Sequence, residues 1–306
     1  MNILITGVNG FIGSNLEEHW KGIHNIYGID LDNNGQSNRF NWSELDKIPD
    51  CDVIIHLAGI AQDKKNAAEE TYFKINTDLT KKIFDFFLAS NCKTFIFFSS
   101  VKAIADATKE TPLTEDFPPH PIGPYGKSKY LAEKYIQKKS SEAVDKRTFI
   151  LRPAMIYGKG NNGNLKLLYN IVKLGIPWPL GKLNSHRSFC YIENLIYIID
   201  NLLKNKEVGS NTFNICDDAP ISTNELIHTM NKVLGKKSKI LNVPYTFLKM
   251  ASNIGTFLKL PLNNETMQRF DSSFVVSNNK IKEALKIEKL PYSSEEGLIK
   301  TLKQID

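Results

Sequence analysis

Short apolar runs recur through the first half of the chain, separated by amphipathic stretches. They are NILITG at 2–7, HNIYGID at 24–30, CDVIIHLAG at 51–59, KTFIFFSS at 93–100 and RTFILRP at 147–153. Each is short, nearly continuous in apolar residues and closed by glycine or polar punctuation, the pattern of strands buried on both faces. Between them, segments such as FKINTDLTKKIFDFFLAS space their apolar residues for one helix face. Alternating elements of this kind predict an α/β fold: a doubly wound parallel sheet covered by helices on both sides.

The regularity changes after Pro153, where YGKGNNGN and the proline-bearing GIPWPLGKLNSHRSF interrupt it. A helix-like YIENLIYIIDNLLKN and a strand-like TFNIC then return to the first pattern. We therefore expect a dinucleotide-binding domain over 1–157 that also receives about 187–217, and a smaller discontinuous α/β substrate domain from 158–186 and 218–306. A chain of 306 residues is compatible with about two domains and a large core.

Composition narrows the function classes. With 42% apolar and 24% charged residues the chain resembles an ordinary globular protein, and no apolar run is long enough for a membrane span. The net charge of +6 comes without a basic block or an aromatic-studded basic stripe, so it suits a small anionic substrate better than nucleic acid. Cys51, Cys92, Cys190 and Cys216 are far apart and lack metal-ligand spacing, so they are expected to be buried free thiols, with no metal site. The amino terminus reads as a strand rather than a targeting segment. A reducing cytoplasmic location is expected.

The first strand runs into Gly7-Val8-Asn9-Gly10-Phe11-Ile12-Gly13 and then a helix. Spacing alone is a weak signal, but a glycine turn between strand and helix is the arrangement that brings a pyrophosphate to free backbone N–H groups. Asp30 ends the second strand 17 residues beyond Gly13, where a carboxylate accepts from the adenosine ribose and repels a 2′-phosphate. NAD is expected ahead of NADP, although Arg39 nearby keeps NADP open. Leu57, Ala58 and Gly59 form a second small-residue approach to the dinucleotide. His56 beside them reads as structural.

Ser99 and Ser100 end the fourth run, at the carboxyl edge where such sheets bind ligands. Tyr125 and Lys129 follow at helical i, i+4 spacing and share one face. A phenol titrates at about 10 when free, and a neighbouring ammonium favours its phenolate. Tyr125 would exchange a proton with a substrate hydroxyl, Ser100 would hold that oxygen, and Lys129 would both tune the phenol and hold the nicotinamide ribose.

Taken together, GVNGFIG, GID, HLAG, the serine pair at 99–100, YGKSK and LRPAMIYG resemble the extended short-chain dehydrogenase/reductases, the NAD-dependent epimerase/dehydratase family. The resemblance covers essentially the whole chain. It implies a Rossmann domain with a small carboxy-terminal domain for a nucleotide-diphosphate sugar, and a homodimer packed through two helices per subunit. It carries Ser100, Tyr125 and Lys129 over as the catalytic trio and places Asn76 on the helix beneath the site.

On the substrate side it implies Asn164 near the phosphates, Arg187 as the diphosphate clamp with Arg269 as a weaker second, and Trp178 near the base. Lys102 joins Ser100 there, in a VKAIA stretch that departs from the family's usual VYG. Asp217 matches a motif position with a structural role. The subgroup resembled builds UDP-sugars for bacterial surface polysaccharides. A UDP-4-keto-6-deoxyhexosamine 4-reductase is expected narrowly ahead of a UDP-hexose or UDP-N-acetylhexosamine 4-epimerase. Dehydration ranks third, since Val101-Lys102 supplies no acidic pair, and a non-catalytic NAD-binding subunit or sensor is a more distant alternative.

Overall fold

The computed structural model describes residues 1–305 apart from 33–34, 62–67, 109–110, 144, 162–163, 184 and 258–262, and apart from the side chains of 164, 265, 266 and 269. The strands are β1 (Asn2–Thr6), β2 (Asn25–Ile29), β3 (Arg39–Phe40), β4 (Val53–His56), β5 (Thr94–Phe98), β6 (Arg147–Pro153), β7 (Met155–Tyr157), β8 (His186–Arg187), β9 (Phe189–Tyr191), β10 (Asn211–Ile215) and β11 (Ile221–Ser222). The helices of the first half are α1 (Phe11–Trp20), α2 (Glu69–Tyr72), α3 (Leu79–Ala89) and α4 (Pro124–Ser140). Those of the second are α5 (Asn164–Lys173), α6 (Ile192–Lys204), α7 (Thr223–Val233), α8 (Tyr245–Phe257), α9 (Asn264–Asp271), α10 (Asn279–Leu285) and α11 (Ser294–Leu302).

Seven strands form one parallel sheet in the order β10-β6-β5-β4-β1-β2-β3. The order reverses direction between β1 and β4, where Thr6 lies opposite His56; this is the switch point at which open α/β sheets bind ligands. The expected doubly wound Rossmann-type sheet is therefore present.

Strand residues alternate between faces, and the core divides accordingly. Ile3, Ile5, Ile55 and Ile96 pack with Leu16 and Trp20 of α1 and Leu195, Ile198 and Leu202 of α6. Leu4, Ile54, Phe95 and Phe97 meet Ile83, Phe84 and Phe87 of α3 and Ala132 and Ile136 of α4. Truncating one of these buried phenylalanines to alanine costs about 3–5 kcal/mol. The two helices of the first face are also tied by polar contacts: Asp200 of α6 accepts from Trp20 Nε1 at 2.8 Å and lies 2.9 Å from His19 Nε2.

β10 pairs with β6 as an outer strand of this sheet. Two small sheets accompany it, β7 parallel to β9 and β8 antiparallel to β11. Helix α7 starts with a capping box between Ser222 and Glu225, and α11 with one between Ser293 and Glu296. Among the described residues, no helix is long and apolar enough to cross a membrane. The four cysteines are free thiols; three are buried as expected, whereas Cys51 is only half-buried, because it precedes β4 instead of lying within it. Burial pushes the thiol pKa up, to about 12 for Cys51 and about 11 for Cys92, which makes them inert at neutral pH.

Candidate active site

The glycine turn lies between β1 and α1, as its sequence requires. Gly7 has φ +72°, and a Cβ there would stand 2.8 Å from Ala58 N, so only glycine lets the loop close on the 57–59 turn. Asp30 faces this loop, accepting from Asn9 N–H at 2.9 Å and Leu31 N–H at 2.8 Å. No side chain caps α1 behind Gly10, so Phe11 and Ile12 begin a helix whose first-turn N–H groups have no side-chain acceptor. Arg39 is buried, and its Nη2 pairs with Glu17 of α1. The Glu17 carboxylate beside the guanidinium disfavours a 2′-phosphate there, while Arg39 Nε and Nη1 are buried without a hydrogen-bond partner among the described residues.

Ser100, Lys129 and Asn76 meet at the carboxyl ends of β4 and β5. Ser100 has extended backbone and its Oγ accepts from Lys102 N–H at 3.2 Å, capping the turn Val101–Ala103. Lys129 is 5% exposed and its Nζ donates to Phe98 O at 2.8 Å. A Cβ on Gly59 would lie 3.2 Å from that Nζ and 2.8 Å from Asn76 Oδ1, so the 57–59 turn and Lys129 are immediate neighbours. Burial lowers the Lys129 pKa to about 8, against the opposing charge of Glu133.

Tyr125 stands one turn before Lys129, next to the helix-starting Pro124, and its ring meets Tyr72 edge-on at 6.4 Å. Helix α4 lies tightly against the serine turn: a Cβ on Gly126 would be 2.3 Å from Lys102 O. The arrangement brings a phenol, an ammonium and a hydroxyl to one edge of the sheet beside a glycine cradle. Such a set can move a proton at a hydroxyl-bearing carbon.

The substrate-side residues are placed less uniformly. Lys102 turns to Asp106, with Nζ 2.7 Å from Oδ1, and lies 5.0 Å from the Phe274 ring. Arg187 Nη2 donates to Ser272 O at 3.2 Å, and Trp178 meets Phe270 edge-on at 5.2 Å. Both therefore converge on the end of α9. Asn164 opens α5 and Arg269 lies within α9, but their side chains are outside the described set. Asp217 is buried and accepts from Tyr157 Oη at 2.9 Å, Tyr191 N–H at 2.9 Å and Asn194 Nδ2 at 2.8 Å, a structural role. Among the described residues, no group of three or more His, Cys, Asp or Glu is placed to hold a metal.

The model of the NAD dependent epimerase/dehydratase family matches residues 3–216. The chain belongs to this family. An undecaprenyl-diphosphate-linked N-acetylglucosamine 4-epimerase of Escherichia coli O157:H7 is 28% identical over 80% of this chain and 76% of its own length. A UDP-glucose 4-epimerase of Vibrio cholerae is 27% identical over 98% of this chain and 94% of its own. In fold, the chain is similar to a UDP-glucuronic acid 4-epimerase from Bacillus cereus in complex with NAD, with TM-score 0.75, 20% identity, and 100% and 98% of the two chains covered.

The cofactor of this epimerase/dehydratase family is NAD, and the residues present fit it. The cradle at Gly7 admits no side chain, the Asp30 carboxylate keeps lone pairs beyond its two backbone donors, and Lys129 lies against Gly59.

Behind the cradle runs a hydrogen-bonded relay that the motifs do not reveal. Thr80 Oγ1 donates to Asn76 O at 2.8 Å, so it accepts from His56 Nε2–H at 2.9 Å. His56 Nδ1 then accepts from Thr6 Oγ1–H at 2.6 Å. Burial holds this imidazole neutral, its pKa well below the usual range, and it is structural as expected. Asn76 continues the relay: Oδ1 accepts from Ile60 N–H at 2.8 Å, and Nδ2 lies 3.1 Å from Ser128 Oγ on α4. Asn76 occupies a π-helical segment, Phe73–Asp78, of the kind that often marks functional sites.

Glu133 and Arg152 are also missing from a motif reading. Glu133 is buried, receives Ser99 Oγ–H and pairs with Arg152. Its signal in the sequence is the i, i+4, i+8 face of Tyr125, Lys129 and Glu133.

Proposed function

We propose that the protein is a 4-epimerase of a diphosphate-linked hexose or N-acetylhexosamine, with a UDP-sugar as the expected carrier form. The observation that carries this reading is the grouping of Ser100, Tyr125 and Lys129 beside Gly59 at the switch point. The activities named for the Escherichia coli and Vibrio cholerae relatives favour epimerisation over the 4-keto-6-deoxy reductase expected first from sequence. The reductase is the second reading, supported by the 26% identity to a GDP-6-deoxy-D-talose 4-dehydrogenase of Aggregatibacter actinomycetemcomitans.

In this mechanism bound NAD supplies the acceptor, and then the donor, of hydride at C4. Tyr125 takes the proton of the C4 hydroxyl as the 4-keto sugar forms and returns it to the same oxygen after the sugar has turned over, when hydride re-enters C4 from the other face. Ser100 donates a hydrogen bond to the same oxygen and holds it within reach of the phenol. Lys129, kept in place by Phe98 O, lends positive charge to the phenolate and holds the nicotinamide ribose. Arg187 binds the diphosphate with a planar fork of donors. The homodimer expected from the resemblance belongs to this proposal, with α3 and α4 as its faces, where Leu131 is 47% exposed.

The test is nucleotide release from freshly purified protein combined with UDP-hexose turnover. Retained NAD with interconversion of C4 epimers supports the epimerase. Reversible NADH binding with one-way reduction of a 4-keto sugar supports the second reading, and neither activity would overturn both.

A further inference from the structure

Helix α8 leaves most of its large apolar residues facing outward. It buries Leu248, Ser252 and Gly255, whereas Phe247, Met250, Ile254 and Phe257 are 60%, 57%, 52% and 87% exposed. With 3.6 residues per turn, these four fall in an arc of roughly 80°, opposite the buried stripe. A helix stabilised only by its own lobe has the reverse polarity. Contiguous exposed apolar residues of this size mark an interaction surface.

The chain leading into α8 is rich in lysine, and Asp271 of α9 accepts from Tyr245 Oη of α8 at 3.4 Å. Segments 158–186 and 226–257 carry nine lysines and no acidic residue, and of these Lys159 and Lys232 are paired with Glu18 and Glu295 outside the segments. The structure joins these segments. Lys236 Nζ donates to Lys173 O at 2.7 Å, Trp178 N–H to Lys239 O at 2.8 Å and Leu241 N–H to Trp178 O at 2.7 Å. Lys236, Lys237 and Lys239 line a cavity of about 350 Å³ with Ile176, which is itself 55% exposed. Four residues beyond Ile240, Pro244 leads the chain into α8.

We infer that the outer face of α8, with the adjoining lysines, is a docking surface for an anionic phospholipid bilayer. The helix lies in the interface with Phe247, Met250, Ile254 and Phe257 among the acyl chains, and the lysines meet the headgroups. A second copy fits less well, because a two-fold contact sets the same lysine-rich patch against itself. Docking here also places the lobe that carries Arg187 at the membrane, since Trp178 and Arg187 both contact the end of α9. The inference concerns where the protein sits and does not depend on which sugar it turns over.

The test is sedimentation of the full chain with phosphatidylcholine–phosphatidylglycerol vesicles and with pure phosphatidylcholine vesicles. The wild type is expected to sediment with the anionic vesicles only. Both F247S/I254S/F257S and K237E/K239E should weaken binding by at least about tenfold, with thermal midpoints unchanged because the substituted side chains are exposed and do not support the core. Absence of binding to the anionic vesicles overturns the inference, as does undiminished binding by both variants. A wild type that ignores vesicles but loses its oligomeric state in the first variant shows that a second copy covers the face, and also overturns it.

Discussion

Arg152, not Lys129, neutralises Glu133. The guanidinium reaches that carboxylate through Nε at 3.0 Å and Nη2 at 2.7 Å, with both side chains almost fully buried. Lys129, one turn before Glu133 on α4, is thereby left to Phe98 O and the cofactor edge. The pair locks α4 to β6, and Ser99 ties it to β5, so the helix that carries Tyr125 has a fixed height above the sheet.

Breaking this pair should be severe, because it leaves one buried charge without its partner. Glu133→Gln or Arg152→Met is expected to cost about 3–5 kcal/mol, measured by urea unfolding. The double variant Glu133→Gln/Arg152→Met should recover part of that loss. Additive losses would show that the two residues do not act as a pair.

Lys129 should behave oppositely, since its charge is costly to bury and useful for chemistry. Its pKa of about 8, depressed by desolvation, means that the folded state sheds a proton the unfolded chain retains up to about 10.4. By linkage, the stability penalty of the charged lysine is full below about pH 8 and relieved as pH rises towards the unfolded value. Lys129→Met should therefore lose about a hundredfold or more in kcat while its thermal midpoint at pH 7 stays level or rises. A clear fall in that midpoint would sink this account.

Much of the fold is legible in the sequence because burial on both faces leaves continuous apolar runs, as in β1, β4 and β5. β3 is not legible: it is two residues long and is placed by backbone pairing, Gly28 N–H to Asn38 O at 2.9 Å among it. The grouping of Ser100, Tyr125 and Lys129, proposed above as the catalytic trio, is legible because Ser100 follows a strand and Tyr125 and Lys129 lie one turn apart. Arg152 is not, since only the order of β5 and β6 brings it beneath α4. Helix periodicity likewise marks the apolar residues of α8 without telling which of them face outward.

The His56 relay predicts an acid-side effect. The imidazole is neutral in the fold, with its pKa pushed down by burial, while the unfolded chain binds a proton at about 6.5. Stability is therefore intact above about pH 6.5 and falls as pH drops below it. In His56→Asn the slope of unfolding free energy against pH between 6.5 and 5 should be shallower by about one proton. An unchanged slope would mean that His56 takes up its proton within the folded state.

Gly126 offers a test of position without removing any reacting group. A Cβ there would meet Lys102 O, a backbone atom, at 2.3 Å, so α4 or the serine turn must shift. Misplacement of reacting groups by about 1 Å can cost on the order of a hundredfold in rate. Gly126→Ala should therefore lower kcat strongly while NAD is retained, because the cradle at Gly7 and Asp30 lies on the other side of the switch point. Since alanine favours helix over glycine by about 1 kcal/mol, the loss of activity need not follow a loss of helix stability. Wild-type kcat in Gly126→Ala would show that the Tyr125–Ser100 spacing tolerates the shift, and that the close approach of α4 serves packing alone.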